Sequence, residues 1–155
     1  MKKIAVIPAR SGSKRLPKKN YKSFNSRNIV EIARDKCLAS GIFDKVIISS
    51  DDPFFETLIN CNKVEFLLRP KKLAADDATT DVVVDFFFKK FPYCESILWV
   101  NSVSPLQSIQ DIQNCGIRLN KPDVDCVMAI NTLYQHCCID NDPLNFNPSN
   151  SFEKT

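Results

Sequence analysis

The sequence predicts an α/β fold, three layers deep, with a mainly parallel sheet between helices. Three observations carry this expectation. Short runs rich in Val and Ile alternate with segments of helical period, as in successive βαβ units. The 155 residues, 44% hydrophobic and 25% charged, suffice for one compact core. The first apolar run leads directly into a basic loop that contains a glycine, which is where open parallel sheets place their ligands.

The elements follow in order. Residues 3–8 read as a buried strand, because the run from Ile4 to Ile7 is too short for a signal segment and meets Pro8 and Arg10. A helix is expected over 29–40, stopped by Gly41. A strand at 45–49 precedes a shorter helix at 53–61 with Pro53 in its first turn. A third strand, 64–68, leads to a helix over 80–91 in which Val84, Phe87, Phe88 and Phe91 share a core-facing side. The fourth strand is 97–101. The next helix, 108–119, opens with Ser108 and Asp111 in capping-box spacing, with Ile109, Ile112, Gly116 and Leu119 along one face. A fifth strand is expected at 126–130. Beyond about Thr132 the pattern gives way to turn formers, so the chain divides into a domain at 1–131 and an irregular tail at 132–155.

A net charge of +3 demands no general nucleic-acid surface, yet the charge is concentrated: Arg10, Lys14, Arg15, Lys18, Lys19, Lys22 and Arg27 fall together with no acid among them. A local anion site is implied. No apolar stretch approaches the ~18 residues that cross a bilayer, and no export signal is visible, so a soluble cytoplasmic protein is expected. The seven cysteines are scattered without a C-x-x-C pair, which fits reduced thiols. His136, Cys137 and Cys138 are crowded, but adjacent side chains do not close a tetrahedral zinc site unaided.

The loop Pro8-Ala9-Arg10-Ser11-Gly12-Ser13-Lys14-Arg15-Leu16-Pro17-Lys18-Lys19-Asn20 suits a triphosphate: Gly12 allows close approach, Ser11 and Ser13 offer donors, and the cations neutralise charge. It has no G-K-[ST] and no G-x-G-x-x-G. On composition alone it is equally a solvated basic loop.

The order of residues is more specific. P-A-R-x-G-S-K-x-L-P-x-K-N resembles the N-terminal signature of the acylneuraminate cytidylyltransferase (CMP-sialic acid synthetase) family. Ile48-Ser49-Ser50-Asp51-Asp52 is similar to that family's strand-end S-T-D, Leu68-Arg69-Pro70 through Asp76 to its L-R-P-x-x-L-A-x-D, and Ser104-Pro105-Leu106 to its T-S-P-L-R. The resemblance covers roughly residues 4–130. It implies a Rossmann-like nucleotidyltransferase fold and transfer of CMP from CTP to a sialic acid or related nonulosonic acid, with release of pyrophosphate and dependence on Mg2+. It further implies that Arg10, Ser13 and Lys19 meet the CTP phosphates with Lys14 nearby, that Asn20, Arg69 and Thr80 surround the cytidine, and that Asn101 lies near the sugar. Arg10 and Lys19 are the residues expected to serve catalysis. The family's partners are CTP and the sugar acid, and its members are homodimers. The residues alone leave other readings open: Asn20 as a turn cap, Thr80 as a helix N-cap, Arg69 as a surface ion-pair partner. Asp51 and Asp52, at a strand's carboxyl end, could orient metal or start a helix.

The sequence departs from the family pattern. Asn101-Ser102-Val103-Ser104-Pro105-Leu106-Gln107 stands for the usual Q-P-T-S-P-L-R, which shortens the amide at Asn101 and loses an arginine at Gln107. His136-Cys137 stands where H-P is frequent, and the later N-G-A-I-Y and D-I-D motifs, the second of which supplies metal carboxylates, have no counterpart before Thr155. The metal ligands are therefore unassigned, and the tail is expected to be the start of a truncated dimerisation region. Pseudaminate, legionaminate and 3-deoxy-manno-octulosonate enzymes are alternatives within the same chemistry. A nucleotide-binding remnant without turnover is the alternative outside it.

Overall fold

The computed structural model describes residues 2–14, 16–130, 138–140 and 142–144. Strand β1 (Lys2–Pro8) is the first apolar run. After a basic loop and a 3-10 turn at Lys19–Tyr21 comes a small antiparallel pair, β2 (Ser23–Phe24) and β3 (Arg27–Asn28). Asn25 and Ser26 between them both have positive φ, 48° and 62°, the geometry of a two-residue hairpin turn.

Helix α1 (Ile29–Ser40) starts where predicted because Asn28 caps it. Its side-chain oxygen accepts from Val30 N at 2.8 Å while Glu31 reaches back to Asn28 N at 3.0 Å. Gly41, at φ 70°, ends the helix. Strand β4 (Lys45–Ser50) follows, then a 3-10 helix at Pro53–Leu58 and strand β5 (Val64–Leu68). Helix α2 (Thr80–Lys90), strand β6 (Cys94–Trp99) and helix α3 (Ile109–Leu119) complete the main body. Strands β7 (Cys138–Ile139) and β8 (Asp142–Pro143) pair antiparallel within the segment expected to be irregular.

The sheet runs β5-β4-β1-β6, every pairing parallel. Alternate residues of β1 serve opposite faces, as the two-residue period of a strand requires. Ala5 and Ile7 pack with Val30, Ala33 and Cys37 of α1 and Ile112 of α3, whereas Ile4 and Val6 pack with Val83 and Phe87 of α2. The result is the expected helix–sheet–helix sandwich. The chain builds outward from β1 through β4 to β5 and then returns to place β6 on the other side of β1. That reversal opens a crevice beyond the carboxyl ends of β1 and β6.

Several expectations need correction. Residues 126–130 form no strand, and Met128 and Ile130 are 79% and 82% exposed. Their apolar character found no sheet edge, and an unpaired strand leaves its backbone groups unsatisfied. The helix expected at 53–61 is a shorter 3-10 helix, and the fourth strand ends at Trp99 rather than at 101. The buried side of α2 is Val83 and Phe87; Phe88 faces outward. Arg15, His136 and Cys137 lie outside the described residues.

Candidate functional site

Three loops converge on the crevice at the reversal point. The first follows β1. Ala9 N donates to Ser49 O at 2.8 Å, which locks the chain to the sheet up to the residue before Arg10. Beyond it the Asp51 carboxylate accepts from both the amide and the hydroxyl of Ser11, at 2.8 and 2.6 Å. Ser11 is therefore held by protein, and the sequence-based expectation that it donates to a ligand is corrected. Burial raises the Asp51 pKa, but the two Ser11 donors and nearby Arg69 outweigh burial and leave it below the ordinary carboxylate value. Asp52 caps the 3-10 helix through Phe54 N at 2.9 Å and accepts from the Tyr21 hydroxyl. Both acids support the scaffold and neither lines the crevice.

The second loop follows β5. Arg69 N donates to Ser50 O at 2.7 Å, which draws the side chain inward so that the residue is only 4% exposed. It is no surface ion-pair partner. Its Nε has no hydrogen-bond partner, and burial holds its pKa below the usual guanidinium value, with Asp51 opposing that shift. On the same strap Asp76 accepts from Arg10 Nη1 at 2.8 Å and lies 3.1 Å from Lys14 Nζ. Those cations, Lys14 first, hold the Asp76 carboxyl below its ordinary value. Thr80 is the first residue of α2; Thr79 is its N-cap.

The third loop follows β6. Trp99 Nε1 donates to Asn101 Oδ1 at 3.2 Å, and Trp99 packs edge-on against Phe87. Ser102 is buried against Asn20. From the other side, Lys36 of α1 donates to the carbonyls of Pro105 and Gln107, both at 2.6 Å.

The cleft between these loops measures about 260 Å³, at the small end of ligand pockets. Of the residues singled out from sequence, Arg10, Lys19, Asn20, Arg69, Thr80 and Asn101 all line it. Ser13 and Lys14 belong to the same loop but not to the lining. Asp76, Trp99 and Ser102 also line it and were not singled out. Asp76 was visible as the end of L-R-P-x-x-L-A-x-D; Trp99 and Ser102 carry no sequence signal until the strand's register is known.

The profile of the family described as cytidylyltransferase matches residues 4–148. The chain belongs to the cytidylyltransferase family. Within it, the chain is 28% identical over 138 residues to the N-acylneuraminate cytidylyltransferase of Streptococcus agalactiae, a match covering 88% of this chain and 33% of that one. It is 39% identical over 85 residues to the pseudaminic acid cytidylyltransferase of Campylobacter jejuni, covering 54% of this chain and 37% of that one. Among solved structures its fold is similar to that of a CMP:2-keto-3-deoxy-manno-octonic acid synthetase complexed with CTP. That match has a TM-score of 0.59 at 20% identity and covers 77% of this chain and 47% of the other. The chain thus spans about a third of the length of these curated family members.

Proposed function

We propose that this chain binds CTP in the cleft and serves the transfer of CMP to a nonulosonic acid, with pyrophosphate released. The observation that carries the reading is Arg69, a buried guanidinium on the cleft wall whose Nε lacks a partner. A buried cation of this kind is costly unless a ligand completes it. Cytosine offers O2 and N3 as adjacent acceptors to such a planar donor group, whereas uracil presents an N3–H that opposes it. Asn20 and Thr80 stand beside Arg69 in the lining and complete the cytidine side.

The phosphates then lie toward the open loop, where Arg10 and Lys19 line the cleft and Ser13 and Lys14 are near. In the reaction the anomeric hydroxyl oxygen attacks the α-phosphorus, the bond to the bridging oxygen of the β-phosphate breaks, and the hydroxyl proton passes to water. Arg10 and Lys19 neutralise charge on the phosphoryl oxygens as it develops. The Asn101 amide oxygen is held by Trp99, so its N–H groups are left for an acceptor on the sugar acid. Mg2+ is implied by the resemblance, but the described residues hold no group of three His, Cys, Asp or Glu side chains that would bind it. Asp51 and Asp52 are committed elsewhere. These residues do not make a metal site of their own, and no step is assigned through one. A cytoplasmic homodimer belongs to the same proposal for the whole protein.

Calorimetric titration with CTP, UTP, ATP and GTP tests the binding claim, with CTP expected to bind at least about tenfold more tightly, the worth of one well-made hydrogen bond to a charged donor. Equal affinities sink it. Pyrophosphate release with CTP, Mg2+ and a panel of sialic, pseudaminic, legionaminic and 3-deoxy-manno-octulosonic acids tests turnover. Tight CTP binding with no release for any acid would leave a nucleotide-binding protein in place of an enzyme.

A further inference from the structure

The two walls of the cleft, 82 residues apart in sequence, are joined by one buried hydrogen bond from Ser102 Oγ to Asn20 Oδ1 at 2.9 Å. Its direction is fixed by the rest of the Asn20 side chain. Asn20 Nδ2 donates to the carbonyl oxygen of Arg10 at 2.9 Å, and a carbonyl can only accept. The amide nitrogen must therefore face Arg10, the amide oxygen must face Ser102, and the Ser102 hydroxyl must donate. The Asn20 carbonyl in turn accepts from Asn28 Nδ2 at 3.2 Å. Ser102 is only 2% exposed and Asn20 5%, so the bond between them is shielded from bulk water. Its own loop is held by Lys36 through two carbonyls, which makes it a firm anchor.

We infer that Ser102 is a positioning residue of the nucleotide site: it fixes the oxygen end of the Asn20 amide on the cleft wall. The inference rests on the proposed binding of CTP and adds a residue that the cation-rich loop would not reveal. Removal of the hydroxyl leaves Asn20 Oδ1 without its donor and loosens the amide, which is then held at its nitrogen alone by the Arg10 carbonyl. The side chains proposed to meet the phosphates, Arg10 and Lys19, keep their places because the Asn20 bond to the Arg10 carbonyl survives. Loss should therefore fall on the nucleoside end of the ligand.

The test compares CTP with inorganic tripolyphosphate, which carries the phosphate chain without the nucleoside, by titration on the full 155-residue chain. Ser102→Ala is expected to weaken CTP binding about tenfold and tripolyphosphate binding no more than about twofold, so the ratio of the two affinities falls. Partial unfolding would lower both equally and leave the ratio unchanged; that result overturns the inference, as does an unchanged CTP affinity. Ser102→Cys, of similar size with a weaker donor, gives a smaller fall in the ratio and serves if the Ala variant does not fold. A wild-type chain that binds the two probes equally removes the cytidine reading and the inference together. A wild-type chain that prefers CTP, with variants that keep the preference, removes this inference alone.

Discussion

Arg69 and Asp51 show how a single side chain can be placed for a ligand or for the fold. An arginine whose buried Nε has no partner costs the ligand-free chain stability, and an apolar side chain of similar length relieves that cost. Arg69→Met is accordingly expected to raise the stability of the ligand-free protein by about 1–3 kcal/mol while lowering CTP affinity at least about tenfold. Thermal denaturation with and without CTP reads both effects, and a variant that loses stability along with affinity would mean that Arg69 holds the fold. Asp51 makes the opposite case. Its folded pKa lies below the ordinary carboxylate value, so it adds stability that is complete above the unfolded pKa and is lost as pH falls through the folded one. Asp51→Asn should cost about 1–2 kcal/mol at neutral pH, since the side chain is only partly buried. The gap between variant and wild type should then close below about pH 4, and acid titration of the unfolding midpoint checks this. A constant gap across that range would mean that the charge is irrelevant.

At the scale of elements, the start of α1 ties the helix to the nucleotide loop. Asn28 caps the helix with its oxygen and holds the Asn20 carbonyl with its nitrogen, so the two tasks separate by substitution. Asn28→Asp keeps the cap and loses the donor, and should leave stability within about 0.5 kcal/mol while weakening CTP binding several-fold. Asn28→Ala loses both and should cost about 1–2 kcal/mol as well; equal stability of the two variants in urea denaturation would refute the division of labour. This junction also marks what sequence could and could not disclose. The boundaries of α1 and α3 were legible because their stop and start signals are local: Gly41 with positive φ, Ser108 with Asp111. The β2–β3 hairpin was not, because two-residue strands have no periodicity and only Asn25 hints at the turn. Residues 126–130 misled for the converse reason, since a short continuous apolar run is only a strand if an edge awaits it, and pairing is a property of the whole sheet. On α2 the pattern rightly named Phe87, which is buried, and Phe91, which packs beside it, but took Val84 and Phe88 where the packed sheet selects Val83.

The whole molecule makes its site by strand order. Because β1 lies between β4 and β6, the loops after β1 and β6 must meet, and the strap after β5 crosses to join them. Basic residues clustered in sequence disclosed the first of these loops; the buried contacts among the three did not show, since Ser102 and Asn20 are far apart along the chain. Binding should therefore tighten three distant segments at once while the sheet behind them, already buried, changes little. Hydrogen exchange measured on the full chain is expected to show CTP slowing exchange over residues 10–20, 69–80 and 101–107, with no change in β4. Tripolyphosphate, which reaches only the cations, should slow exchange over 10–20 alone, and its effect should fade as salt rises from about 0.05 to 0.5 M because Lys14 and Lys18 are exposed and Lys19 is only half-buried. The protection that CTP gives at 69–80 should resist salt, because Arg69 acts from a buried position where screening is weak. Protection confined to 10–20 with both ligands would mean that the crevice binds phosphate only and that the three loops do not act as one site.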